Sequence, residues 1–178
     1  MEFLLFDSLG ESQFRSQVYE LLKKCDQEFV PPLSARNSTS QKRLTGEDLD
    51  RESVPKSYFL ELCNQPVIIC AEDDRLIGFM SYINNYICSD VENATPGIYV
   101  TTIIVDPDHR GKSLTAKMYD ELVELATVRG KHISTRTWST NHAHIIILSR
   151  LGFYELLRIE DGRGEGIDTV YFRKDRFL

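Results

Sequence analysis

The stretch Ile103-Ile104-Val105-Asp106-Pro107-Asp108-His109-Arg110-Gly111-Lys112-Ser113-Leu114-Thr115 holds the residue types best suited to chemistry. A β-branched run leads into a tight turn carrying Arg-Gly-Lys. Beyond the turn, Leu114, Met118, Leu122, Leu125 and Ala126 recur at helical spacing. A helix start presents unpaired N–H groups and about half a positive charge, which makes it an anion site, above all for phosphate. Gly111 allows close backbone approach to a ligand. Arg110 and Lys112 add cationic donors, and Ser113 and Thr115 add short hydroxyls. The spacing is neither G-x-x-x-x-G-K-[ST] nor G-x-G-x-x-G. On this stretch alone, a plain strand–turn–helix with solvated basic residues reads the same way.

The elements that would position this turn follow from periodicity. Residues 2–6 read as a strand. Ser8-x-x-Glu11 resembles a capping box, and Phe14, Val18, Leu21, Leu22 and Cys25 predict a helix over 9–27, ended by Pro31 and Pro32. Residues 34–53 read as a polar loop, and Pro55 opens a helix to about 64. Runs 67–71 and 75–82 form a hairpin around Glu72-Asp73-Asp74. Residues 98–105 give the strongest strand signal. A helix to Arg129, capped by Gly130, precedes a strand over 132–138, a helix over 142–151, and strands over 153–159 and 169–172 around a glycine-rich turn. The order is β-α-α-β-β-β-α-β-α-β-β, an α/β (α+β) layer structure with a mixed central sheet and helices on both faces.

Composition bounds the function classes. At roughly 150 residues per domain, 178 residues predict a single domain, 1–178, with a real core. A chain 42% hydrophobic and 27% charged is neither a disordered tail nor a fibre nor a disulfide scaffold. The net charge of −6 and the lack of a basic stripe argue against nucleic acid as a partner. Cys25, Cys63, Cys70 and Cys88 show no C-x-x-C pair and no zinc spacing, so no metal is expected; Cys70 and Cys88 sit in apolar runs and read as buried thiols. Met1-Glu2-Phe3-Leu4-Leu5-Phe6-Asp7 lacks the basic flank and apolar length of a signal peptide, and no run approaches the ~20 apolar residues of a membrane span. The expectation is a cytoplasmic protein with no membrane partner. Asn37-Ser38-Thr39 and Asn93-Ala94-Thr95 then match the glycosylation pattern by chance.

The turn resembles the acetyl-CoA pyrophosphate loop of the GNAT N-acetyltransferase family, V-x-P-x-x-R-G-x-G-x-G/A. Val105, Pro107, Arg110 and Gly111 match in register, while Ser113 and Thr115 replace the second glycine and the final Gly/Ala. The family's second motif, approximately N-x-x-A-x-x-L-Y-x-x-x-G-F, is matched by Asn141, Gly152 and Phe153. The likeness is specific over 98–155 and architectural over 1–97. It implies a splay between the strand ending at Val105 and the strand over 132–138, with 98–178 as acetyl-CoA core and 1–97 on the acceptor side. It implies that the backbone of Ile103, Ile104 and Val105 pairs with the pantetheine arm. The amides of Arg110, Gly111, Lys112, Ser113, Leu114 and Thr115 would hold the pyrophosphate, and Asn141 would bond the arm near its thiol.

The implied reaction is direct attack of a primary amine on the acetyl thioester, with acetyl-CoA as co-substrate and no metal. The amine must lose a proton and the leaving thiolate benefits from a donor. The family's donor tyrosine falls at Leu148, and its glutamate base falls near Thr101 or Thr102. Neither leucine nor threonine can do that work at neutral pH. Three readings stand open. The donor comes from His144 or Tyr154; water fills both roles; or the protein is a regulatory module that binds acetyl-CoA without turnover. His142 and His144 make no metal pair, because positions i and i+2 face apart on a helix. Trp138 lines the acceptor site or belongs to the core.

The acceptor leaves no motif. Residues 1–97 carry 9 Lys+Arg and 16 Asp+Glu, net −7; residues 98–178 carry 12 and 11, net +1. An acidic acceptor side would suit a cationic amine such as a lysine, a polyamine or an aminoglycoside. The charges that would do this are Glu47, Asp48, Asp50, Asp90 and Glu92. Because the family often pairs through its strands, a homodimer is among the expected assemblies.

Overall fold

The computed structural model describes residues 1–49 and 52–175. Eleven regular elements follow one another in the predicted order: β1 (Glu2–Phe6), α1 (Arg15–Cys25), α2 (Lys56–Leu62), β2 (Val67–Glu72), β3 (Arg75–Tyr86), β4 (Gly97–Val105), α3 (Leu114–Val128), β5 (Ile133–Trp138), α4 (His142–Arg150), β6 (Tyr154–Ile159) and β7 (Thr169–Lys174). The strands form one mixed sheet in the order β1-β2-β3-β4-β5-β7-β6. Among the described strands only β4 and β5 run parallel.

Both faces of the sheet are covered, which is why β2 reads as a continuous apolar run rather than an alternating one. Ile68 and Cys70 pack with Met118, Leu122 and Leu148 under α3 and α4. Their neighbours Val67, Ile69 and Ala71 pack with Val18, Leu22 and Leu62 under α1 and α2. All four cysteines are free and buried, the reading given above for Cys70 and Cys88. Among the described residues no helix is long and apolar enough to cross a membrane.

One expected element is broken. The helix foreseen over 9–27 is a 3-10 turn (Leu9–Glu11) followed by α1 proper from Arg15. Ser8 accepts from the Gly10 N–H at 3.2 Å, but it caps only the 3-10 turn, and its hydroxyl is also committed to the Cys63 carbonyl at 2.8 Å. Ser12 then takes the Phe14 N–H at 3.1 Å and diverts the backbone from the helical ladder. β3 runs four residues further than expected, to Tyr86.

The feature of the sheet that matters most for function lies on β4. Ser81 of β3 faces Thr102, and Tyr82 faces Val100, so Thr101 is an extra residue, a β-bulge. The bulge reverses the alternation along the strand. Ile98, Val100 and Val105 pack toward α3, while Ile104 packs toward α1. A bulge bends the strand that carries it, and β4 leaves its parallel partner at this point. Its pairing with β5 ends at Val100–Thr135.

Candidate active site

Past Val100, β4 has a hydrogen-bonded neighbour on one side only. It pairs with β3 as far as Val105, while no described strand pairs with its edge toward β5. The fork so formed opens into a cleft of about 640 Å³. Residues 100–105 and 135–138 form its two walls, and the start of α3 and one face of α4 close its ends. This is the splay that the family likeness implied.

The turn after β4 is built from local physics. Asp106 caps a 3-10 turn by accepting the Asp108 N–H at 2.9 Å, with Pro107 at its first position. Lys24 reaches across from α1 and bonds both Asp106 and Asp108. Gly111 then takes φ +78 and Ser113 takes φ +57 before α3 begins. The first intrahelical bond is Lys117 N–H to the Ser113 carbonyl. The six amides of residues 111–116 therefore have no partner among the described residues, and they converge at the mouth of α3. A Cβ built on Gly111 would meet nothing within 4 Å, so the glycine is required by backbone conformation, not by packing. Ser113 holds the left-handed conformation that a glycine takes freely, at a cost of roughly 1–2 kcal/mol. The replacement of the family's glycine has thus left the loop open.

Two side chains do something other than expected. The Arg110 guanidinium turns inward, donating to the Val105 carbonyl at 3.1 Å and to Glu28 at 2.7 Å. Its own N–H goes to the Pro107 carbonyl at 3.4 Å. Arg110 therefore ties the turn to the segment after α1, and the free amides begin at Gly111. Lys112 is exposed and is not part of the cleft wall, whereas Ile103, Ile104, Val105, Ser113, Leu114 and Thr115 are. Asn141 caps α4: its Oδ1 accepts the His144 N–H at 3.3 Å and its Nδ2 donates to Thr137 at 3.1 Å. One Nδ2 proton remains for the cleft.

The expected acid–base residues separate. Leu148 is fully buried in the core under α4, so no polar group stands at the family's tyrosine position. Tyr154 lies on the outer strand β6, is 45% exposed, and donates to Asp175 at 2.8 Å; it does not border the cleft. His144 does border it. Its Nε2 lies 3.0 Å from the hydroxyl of Tyr119, a buried residue of α3 that sequence periodicity alone would count as core. Burial lowers the His144 ring pKa to about 4, so the imidazole is neutral at pH 7. Burial also pushes Tyr119 upward, which keeps its proton on.

The threonines at the family's base position are committed. Thr101 Oγ1 bonds Gln65 at 2.6 Å; Gln65 donates to Thr39 at 2.6 Å; Thr39 donates its hydroxyl to Glu61 at 3.1 Å. Thr102 Oγ1 and the Tyr58 hydroxyl share a 2.7 Å bond. These chains lock the loop after α1, and the helix α2, onto β4. Among the described residues they place no carboxylate at the family's base position.

The acidic acceptor side is not what the cleft presents. Glu47 and Asp48 border a separate shallow depression with Lys42 and Arg43. Asp90 accepts the Tyr171 hydroxyl at 2.9 Å, Glu92 is exposed away from the cleft, and Asp50 lies outside the described residues. Glu28, the one carboxylate among the described residues that line the cleft, is paired with Arg110. Sequence reasoning singled out none of Arg36, Arg136, Arg150 and Arg163, all of which line the cleft. They come from four unrelated positions in the chain, and no spacing rule links them. Among the described residues no group of His, Cys, Asp and Glu could hold a metal ion.

Known proteins share this architecture. The aminoglycoside 6'-N-acetyltransferase of Enterococcus faecium superposes with a TM-score of 0.68 at 14% identity, over 98% of this chain and 96% of that one. The Salmonella typhimurium protein yncA, solved with acetyl-CoA, gives 0.63 at 16% identity over 97% and 93%. The ribosomal-protein-alanine N-acetyltransferase of Brucella melitensis gives 0.63 at 15% identity over 97% and 99%. At these identities the superpositions establish the fold. No match was found among curated proteins. The model of the acetyltransferase (GNAT) family matches residues 17–153, which span α1, the forked strands, the amide-lined turn and α4. On that match, the chain belongs to the GNAT acetyltransferase family.

Proposed function

We propose that this member is an acetyl-CoA-dependent N-acetyltransferase that acylates a primary amine within the fork between β4 and β5. The observation that carries the reading is the row of six unpartnered amides at 111–116, placed at one end of a cleft whose wall is the unpaired edge of β4. Such amides at a helix start suit a pyrophosphate. An unpaired strand edge suits an amide-bearing arm that adds as a further strand. Bound acetyl-CoA would supply an activated acyl group.

The residues of this chain divide the remaining work. The edge of Ile103, Ile104 and Val105 orients the arm. Asn141 offers its spare N–H near the fork. Neutral His144, held by Tyr119, offers a ring N–H or a lone pair to the reacting groups, according to its tautomer. With its pKa near 4 it does not act as a cationic acid at pH 7. Water then removes the amine's proton, which the openness of the cleft allows. Neutral His144 and water thus replace the family's tyrosine and glutamate.

A second reading, binding without turnover, rests on a specific observation as well: Leu148 is core, and Thr101 and Thr102 are fully hydrogen-bonded. Release of free thiol from acetyl-CoA across a broad amine panel, with the acetylated product identified by mass, separates the two. Amine-dependent thiol release with N-acetylated product is the expected result. Tight acetyl-CoA binding without product from any amine would establish the second reading instead.

A further inference from the structure

The cleft beyond the fork ends in a wall of arginine. Thr135 makes the last pair of the parallel ladder with Val100, so Arg136, the next residue, sits at the apex. Side chains two apart on a strand share a face, and Trp138 lies beside it. Phe29 packs on Trp138 with ring centroids 5.7 Å apart. The Arg36 guanidinium lies 5.6 Å over Phe29, and that of Arg163 lies 5.8 Å over Trp138. Arg36 and Arg163 are each 6% exposed.

None of the three arginines has a carboxylate partner among the described residues. Their hydrogen bonds go to neutral groups. Arg36 donates to the Pro31 carbonyl at 2.8 Å and to Val30 at 3.4 Å. Arg163 donates to that same Val30 oxygen at 2.7 Å. Arg136 reaches the Gln41 carbonyl and the Tyr171 hydroxyl. The nearby acids make other hydrogen bonds, Asp26 with Ser34, Glu28 with Arg110, Glu61 with Thr39 and Asp90 with Tyr171, and none bonds a guanidinium of this group. Carbonyl oxygens satisfy the N–H groups but carry no charge to balance a guanidinium. Burying a cation without a bonded counter-charge is unfavourable. Burial lowers the Arg36 pKa to about 10, and burial together with Arg36 and Arg136 lowers that of Arg163. Guanidiniums nonetheless keep their protons at working pH. Three guanidiniums thus line one end of the cleft with no carboxylate bonded to any of them among the described residues, a setting that favours an anion.

We infer that the acceptor is a primary amine carrying a carboxylate a few bonds from its nitrogen, held by Arg136 with Arg36 and Arg163, so that the amine points to the fork. The planar guanidinium fork matches a carboxylate by two parallel hydrogen bonds. The Phe29–Trp138 pair supplies an apolar surface for the carbon skeleton. This inference rests on the transferase reading above and narrows its acceptor to an anionic class. It runs against the cationic amine that the charge count suggested. That count sums solvated acids on the outside of residues 1–97, whereas the cleft is lined by the few buried cations.

The test compares matched acceptors on the unaltered protein: α-amino acids against their carboxamides, and dipeptides with an acidic side chain against their amide counterparts. Spermidine and an aminoglycoside serve as polycations. Acetyl-CoA binding is followed by calorimetry in the same preparation. The expected result is a kcat/KM about tenfold or more higher for the carboxylates than for their amides, with the better of the two sets identifying free amino acid or peptide as the source. Arg136→Gln should close that gap while leaving acetyl-CoA affinity nearly unchanged, and Arg136→Lys should restore part of it. A purely structural arginine would move Tm and leave the selectivity intact. Acetyl-CoA binding with equal or better use of amides or polycations overturns the inference and leaves the transferase reading standing. If no amine turns over, calorimetry of the same amines on CoA-loaded protein decides, and a carboxylate that binds no better than its amide overturns it. Failure to bind acetyl-CoA at all removes both.

Discussion

The two ends of the cleft are built on different principles. The end at α3 uses backbone: six amides of residues 111–116, set by one glycine, one left-handed serine and a helix start, all within a single short segment. The end beyond the fork uses side chains: Arg36, Arg136 and Arg163, from a loop, a strand and a turn, meeting around Phe29 and Trp138. Backbone recognition is local and tolerates changes of residue type, provided the φ angles are kept. Side-chain recognition is assembled by the whole fold and can change partner with one substitution. The contrast suggests a fixed donor site and an acceptor site free to diverge.

Substitutions at the two ends should therefore separate cleanly. Gly111→Val places a β-branched residue at φ +78 and a side chain where a phosphate would lie; acetyl-CoA affinity should fall on the order of a hundredfold in calorimetry. Arg136→Gln should instead raise the KM of a carboxylate acceptor by about tenfold, the worth of a charge-assisted hydrogen bond, with acetyl-CoA affinity unchanged. If each substitution weakened both substrates equally, the division between the ends would fail.

The next effects concern what joins the ends. Gln65→Leu removes the link between Thr39 and Thr101, which keep only Glu61 and Ser81 as partners, and should cost about 1 kcal/mol, read as a lower Tm, by loosening the loop that carries Arg36 from β4. His144 supplies a pH signature. Its folded pKa, about 4, lies below its ordinary 6.5, so between these values the unfolded chain binds more protons. Stability is then present in full above pH 6.5 and is lost as pH falls toward 4, on the order of 2 kcal/mol once partial exposure is allowed for. His144→Phe should flatten that part of a Tm-against-pH curve. The smallest change belongs to Ser113→Gly, which relieves a left-handed serine: acetyl-CoA affinity should hold or rise, by about 1 kcal/mol at most. A sharp loss in that titration would mean that the serine hydroxyl itself binds the phosphate.

Much of the end at α3 was legible in the sequence because its determinants are contiguous. A β-branched run, Pro107, Gly111 and a 3.6-residue apolar period suffice to place a strand, a turn and a helix. The bulge at Thr101 was not legible, since it depends on the register with β3, and neither was the break at Ser12, where one hydroxyl outbids a helical pattern. The role of Arg110 was hidden for a similar reason: its partner Glu28 is distant in sequence. Net charge did not reveal the arginines beyond the fork, because exposed acids dominate the count while Arg36 and Arg163 are buried.

The most direct test of the account is calorimetric titration of the protein with acetyl-CoA, CoA and dephospho-CoA, beside Gly111→Val. The account predicts binding of all three by the native protein, because the pyrophosphate they share meets the amides of 111–116, and loss of all three in the variant. No heat from any of them on well-folded native protein would contradict it, since a site built from free amides and an open strand edge would then have no ligand.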